Sequence, residues 1–244
     1  MKIVIDAGHG FHTAGKRSPD GSLREYQFNS VVARYVADAL LHGYEGIEIL
    51  MTHDDSRDVP LKERTDRANA WKADLFVSIH ANAAGNGVTW NSARGIETYV
   101  YTSRPPDAVA LANAVQRQLI RATGRPDRGV KSANFHVLRE TKMTAILVEC
   151  GFMTNREECE LLKYDSYRRK CASAIVAGIV ETYGLKPKQH VQNPANDEVS
   201  VWAREAQEWA MEKGITDGTR PKDPVTREEV WTMLYRFAQK TSRA

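Results

Sequence analysis

The sequence predicts an α/β fold: a mostly parallel central sheet flanked by helices on both faces, followed by a small helical C-terminal module. Three observations carry this. The short apolar runs are continuous rather than alternating, as strands covered on both faces must be. The segments between them show helical periodicity, which is the pattern of a layered α/β domain. A Pro- and amide-rich stretch, GLKPKQHVQNPANDE, then sets the last part of the chain apart.

In chain order, residues 2–6 (KIVID) read as a buried strand. From Phe28 the apolar positions Val31, Val32, Tyr35, Val36, Ala39 and Leu40 follow the i, i+3, i+4, i+7 stripe of a helix. Residues 47–52 are a further strand candidate, 61–73 a helix, and 75–80 (LFVSIH) a second buried strand. Residues 96–102 then read as a strand and 107–123 as a helix. A third buried strand at 145–149 (AILVE) is followed by helices at 156–162 and 167–183. Residues 1–183 thus form the main domain, 184–198 a linker, and 199–244 the small module. The module reads as a helix at 201–213, a Gly/Pro turn segment, and a second helix capped by Thr226 with Glu229 three residues on. A segment this short buries little core by itself.

Composition narrows the partners. A net charge of +3 and an isoelectric point near 8.7 are too mild for a nucleic-acid protein and suit an anionic polymer such as a bacterial wall. Cys150, Cys159 and Cys171 are odd in number and contain no C-x-x-C pair, so free thiols are expected rather than a disulfide framework. No apolar stretch reaches the roughly 18 residues a membrane helix needs. No basic leader with a longer apolar segment opens the chain. The expectation is therefore synthesis in the cytoplasm and action after release.

Chemistry gathers at strand exits. In open α/β sheets, ligands bind beyond the carboxyl ends of the strands. His9 lies there after the first strand, in DAGHG, and His80 after the second, in SIHAN. Glu149 ends the third, ahead of Cys150-Gly151-Phe152. Glu25, in LREYQFN, stands at the start of the long amphipathic helix and off its apolar stripe. Its ordinary reading is a helix N-terminal carboxylate favoured by the macrodipole. The alternative is a ligand, since two His and one Glu are the set a catalytic zinc takes while leaving a position for water. The spacing is long-range, unlike the compact H-E-x-x-H helix, so spacing leaves both readings open. Arg64 and Asn69, on a polar helix face, suit structural pairing. His12, Asn134 and His136 sit in loops, and Cys150 suits a small buried strand-end residue better than a nucleophile.

DAGHG, the Glu of LREYQFN, LKERTDRANAWKADLFVSIHANA, GIETYVY, RGVKSANFHVLRET and ILVECGFMTN occur in this order. Together they resemble the zinc-dependent N-acetylmuramoyl-L-alanine amidases often called amidase 3, over residues 1–183. The resemblance implies zinc held by His9, Glu25 and His80, with Glu149 as general base. It implies cleavage of the amide between the lactyl group of N-acetylmuramic acid and L-Ala of the stem peptide. The chain departs from the family's usual pattern at Met143-Thr144, where Met-Pro is common, and at Thr52-His53, where Thr-Arg is common. The C-terminal segment is similar to a single S-layer-homology repeat through its Trp-Ala pair, GITDG, RP and VTREE. That similarity implies wall-polysaccharide binding, with dimerisation as the other reading. The rival functions are a zinc peptidase cutting within the stem peptide and a non-catalytic wall-binding protein on the same fold. The setting implied is bacterial wall lysis, by a phage endolysin or a mother-cell autolysin.

Overall fold

The structure is a computed structural model that describes residues 1–188, 199–218, 225 and 227–241. The apolar runs become strands because each fills an interior flanked by helices. In chain order the elements are β1 (Lys2–Ala7), α1 (Glu25–Gly43), β2 (Glu48–Met51), α2 (Leu61–Trp71) and β3 (Leu75–Asn82). Next come β4 (Ile96–Val100), α3 (Pro106–Thr123), β5 (Asp127–Ser132), α4 (His136–Arg139) and β6 (Thr144–Phe152). The first unit closes with α5 (Arg156–Lys163) and α6 (Asp165–Tyr183). The strands form a six-stranded sheet in the order β2-β1-β3-β6-β4-β5. All neighbouring pairs are parallel except β4 with β6.

Strand alternation sorts the side chains to two faces. On one face Ile3, Ile5, Val77, Ile79, Ile146 and Val148 pack in a large core with residues of α1, α3 and α6. Helices α3 and α6 approach closely at Gly178, where a Cβ would lie 2.6 Å from the Val115 side chain. On the other face Val4, Phe76, Ala145 and Leu147 form a smaller cluster with Ala68 of α2, Val137 and Leu138 of α4, and Ala73. The partly buried Leu50, Trp71, Tyr99, Tyr101 and Met143 pack against it. That second layer is thin. The same alternation carries Asp6, Ser78, His80, Glu149 and Glu97 to this thinly covered face, at its polar end.

The long helix begins at Glu25, as the sequence reading placed it, and the Gln27 side chain accepts a bond from the Arg24 backbone N–H at 2.9 Å there. Strand β5 and the single-turn α4 were not foreseen. The β5 segment DRGVKS is an edge strand with a half-buried Val as its one apolar residue, so it has no hydrophobic run to read.

The chain separates into two compact units, Met1–Lys188 and Gln189–Ala244. Residues 184–188, read as the start of the linker, lie against the end of α1. Pro187 bridges Tyr44, and the Lys188 N–H donates to Gly43 O at 2.8 Å. In the second unit a 3-10 turn (Val201–Ala203) leads into α7 (Arg204–Glu212), and α8 (Arg227–Thr241) follows. Trp209 of α7 and Phe237 of α8 meet with ring centroids 6.1 Å apart, and Ile215 is buried. The expected cap Thr226 and residues 189–198 of the expected linker lie outside the described residues. Among the described residues, no helix is long and apolar enough to cross a membrane.

Candidate metal centre and active site

The exit of β1 is built around a buried arginine. Arg64 of α2, expected on a polar helix face, is only 2% exposed. Its guanidinium pairs with Asp6 Oδ1 at 2.7 Å and donates to the carbonyls of Ala7 and, at 2.9 Å, His9. Its Nε donates to Val59 O at 2.9 Å. This clamp holds His9 in a left-handed conformation, φ 63°, which a non-glycine residue adopts at a cost. The His9 ring is thereby turned toward the start of α1.

Gly8, just before it, is required by space. A Cβ there would lie 2.0 Å from Cε1 of His80. The His80 ring therefore occupies the volume a side chain at residue 8 would fill. The two imidazoles stand edge to face with centroids 5.0 Å apart.

Glu25 lies between them, buried at the N-terminus of α1. Its Oε1 is 2.9 Å from His80 Nδ1 and accepts from Asn29 Nδ2 and the Ala81 N–H, each at 3.2 Å. Its Oε2 is 3.3 Å from His9 Nε2. One donor atom from each of His9, Glu25 and His80 lies within 4.8 Å of the others, an arrangement that could hold one metal ion. Burial pushes the Glu25 carboxyl up, but the His80 bond and the His9 charge outweigh it and hold the group down at about 2. Burial drives His9 down to about 4. Burial also pulls His80 down, yet its bond to Glu25 and the nearby carboxylates leave it raised overall.

The hydrogen bonds behind His80 decide which of its nitrogens carries a lone pair. Asp6 accepts from Arg64, from the Thr52 hydroxyl, and from Ser78 Oγ at 2.6 Å. Despite burial, these donors and the Arg64 charge hold it below the usual carboxylate range. Ser78, having given its hydrogen to Asp6, can only accept from His80 Nε2, 3.0 Å away. The Nε2–H tautomer leaves the Nδ1 lone pair facing a Glu25 oxygen. Two acceptors 2.9 Å apart repel unless a proton or a metal cation joins them. The donor set thus fits a cation, and the outer layer orients it as metal-binding histidines usually are oriented.

Glu149 is the register partner of His80 across β3 and β6. Its Oε2 is buried and has no hydrogen-bond partner among the described residues. Burial pushes its carboxyl up to about 8, with Glu25 and Glu97 adding to the rise and His80 opposing it. A carboxyl so placed holds a proton readily and has an oxygen left for another group.

The remaining candidates take structural positions. Asn69 ties α2 to the α4 turn, donating to Glu140 O and accepting from Lys142 N. The His12 N–H donates to Asp58, and Asn134 Oδ1 accepts from Arg139. His136 contacts the Thr65 hydroxyl at 3.4 Å. Cys150, Cys159 and Cys171 are free and buried, and a bond to Cys171 together with burial pushes the Cys150 thiol well above its usual range. Sequence reasoning missed Asp6 and Ser78, whose roles come from parallel register, Asp6 opposite Ser78. It also missed Glu97, which register places opposite Glu149.

Comparison with known proteins gives a consistent answer. A family profile described as N-acetylmuramoyl-L-alanine amidase matches residues 3–181. The amidase CwlM of Bacillus licheniformis is 34% identical over 185 residues, covering 76% of this chain and 70% of the relative. The endolysin of Bacillus phage SPP1 is 34% identical over 196 residues, covering 80% of this chain and 71% of the relative. Among solved structures, the catalytic domain of CwlV, an N-acetylmuramoyl-L-alanine amidase from Bacillus (Paenibacillus) polymyxa var. colistinus, superposes with a TM-score of 0.69. It is 36% identical, and the match spans 76% of this chain and 99% of that domain.

Proposed function

The chain belongs to the N-acetylmuramoyl-L-alanine amidase family, and we propose that it is a zinc enzyme hydrolysing the lactyl–L-Ala amide of peptidoglycan with Glu149 as its proton carrier. The observation that carries this reading is the convergence of His9, Glu25 and His80 beside the unpartnered Glu149 oxygen.

His9, Glu25 and His80 would hold the ion, a donor set of two imidazoles and one carboxylate that suits zinc and leaves a position open. Bound zinc supplies Lewis-acid chemistry, acidifying water and polarising a carbonyl. The chain's residues do the rest. Arg64 and Asn29 fix the turn that carries His9, through the carbonyls of His9, Ala7 and Gly8. Asp6 and Ser78 hold His80 in the tautomer whose Nδ1 can ligate. Glu149 takes the proton of the attacking water at its free oxygen and returns it to the leaving amine of L-Ala, so one carboxyl serves as base and then as acid.

The likeness to a phage endolysin supports a role in wall lysis, by an endolysin or a mother-cell autolysin made in the cytoplasm. The second unit is assigned to wall polysaccharide, where exposed Trp202, Trp231 and Tyr235 offer flat faces for sugar rings. Glu149→Ala tests the core of the reading. The variant is expected to retain zinc in a 1:1 ratio while wall hydrolysis falls on the order of 10²- to 10⁴-fold. Full activity in that variant would overturn the assignment.

A further inference from the structure

The row of side chains on the thin face does not end at Glu149. Its register partner on β4 is Glu97, which is buried. Glu97 Oε1 accepts from Asn82 Nδ2 and the Tyr99 hydroxyl, each at 2.6 Å. Its Oε2 takes two cations at once, Arg128 Nε at 2.7 Å and Lys131 Nζ. The carboxylate is therefore fully engaged, while two positive charges share its single negative one. Arg128 and Lys131 remain 36% and 37% exposed at the side chain. Only Nε of Arg128 is used, and its terminal nitrogens have no hydrogen-bond partner among the described residues. The guanidinium lies over the Phe152 ring at 4.9 Å, which fixes its plane. Because both cations touch one oxygen, they are close enough for a single carboxylate to bridge them from the open side.

We propose that Arg128 and Lys131 form a carboxylate-binding subsite that recognises the free carboxylate on the second residue of the stem peptide. The proposal rests on the amidase reading, and it fixes which way the substrate lies. Neighbouring strands are about 4.8 Å apart, so side chains leaning on β4 sit one strand beyond Glu149. The second stem residue places its carboxylate one residue past the scissile L-Ala nitrogen, and an extended residue spans about 3.4 Å. The two lengths are of the same order. The peptide arm then runs over β4 and β5, and the glycan arm extends past His9 toward the loop that precedes α1. A carboxamide at the second residue cannot form the charge-assisted pair, so amidated walls are poorer substrates.

The test uses the full chain and two preparations of purified peptidoglycan, one with the second-residue carboxylate free and one with it amidated. Release of new N-terminal Ala is followed on both. The wild type is expected to cleave the free-carboxylate wall faster, on the order of tenfold in kcat/KM. Lys131→Met and Arg128→Gln each leave Glu97 one cation. Each is expected to lose most of that preference by slowing on the free-carboxylate wall alone, and Lys131→Arg to restore it. Equal wild-type rates on the two walls would overturn the proposal. So would variants that slow equally on both, since that marks a purely structural role for the cations. Absence of new N-terminal Ala from either wall would instead overturn the amidase reading beneath it.

Discussion

Gly8→Ala is the smallest change that should dismantle the metal centre while leaving every proposed ligand in the chain. Gly8 is not among the glycines with positive φ, so alanine meets no backbone penalty there. The difficulty is space alone. The added Cβ would stand 2.0 Å from His80 Cε1 and 2.4 Å from both ring nitrogens. Reaching an ordinary contact of 3.4 Å requires the ring or the β1 exit to retreat by about 1.4 Å. Metal–ligand distances tolerate only about 0.2 Å. A retreat several times larger removes His80 as a ligand and breaks its bonds to Glu25 and Ser78. Disturbing the groups that merely orient a ligand typically costs 10–100-fold in metal affinity. Displacing the ligand itself should cost at least about 100-fold. Overpacking adds a stability cost of about 1–3 kcal/mol. Zinc affinity is measured by chelator competition, and folding is checked by circular dichroism and thermal melting. A folded Gly8→Ala protein that binds zinc within threefold of wild type would refute the placement of His80 in the site.

Three further outcomes follow from the same geometry. Ser78→Ala should weaken zinc binding roughly 10- to 100-fold, because Asp6 loses its link to His80 Nε2; Ser78→Thr, which keeps the hydroxyl, should restore it. Arg64→Ala leaves the buried Asp6 carboxylate uncompensated and should destabilise the first unit by about 3–5 kcal/mol, read by denaturant unfolding at pH 7. Glu97 is held down to about 2 against the push of burial, by bonds from Lys131, Tyr99 and Arg128. A depressed folded-state pKa contributes stability that is present above the unfolded value near 4.5 and is lost as pH falls toward about 2. Denaturation at pH 5 and pH 3 should therefore show a smaller loss for Glu97→Gln than for wild type, and identical losses would count against the ionised, paired Glu97.

The strand exits were legible because a continuous apolar run ending in a small-residue turn marks a buried strand and where it stops. That logic reached His9, His80 and Glu149 from the residues alone. Glu25 needed the family resemblance, since a carboxylate at a helix start is ordinary. What stayed hidden was lateral. Nothing local in VSIH shows that Ser78 lies opposite Asp6, because parallel register is set by crossovers distant in sequence. Arg64 read as a structural pairing residue on a polar helix face, and it pairs with Asp6. Its depth of burial stayed hidden because it depends on four acceptors from two other segments, namely Asp6, Ala7, His9 and Val59. Edge strand β5, with its half-buried Val, gave no periodic pattern, and the cations it brings beside Glu97 were invisible with it.

The most direct test of the central claim is the identity of the new termini released from purified peptidoglycan by metal-stripped protein given one equivalent of zinc. The account predicts N-terminal L-Ala paired with free lactyl-muramic acid, appearing only when zinc is restored. New termini inside the stem peptide, or L-Ala release that persists without metal, would contradict it.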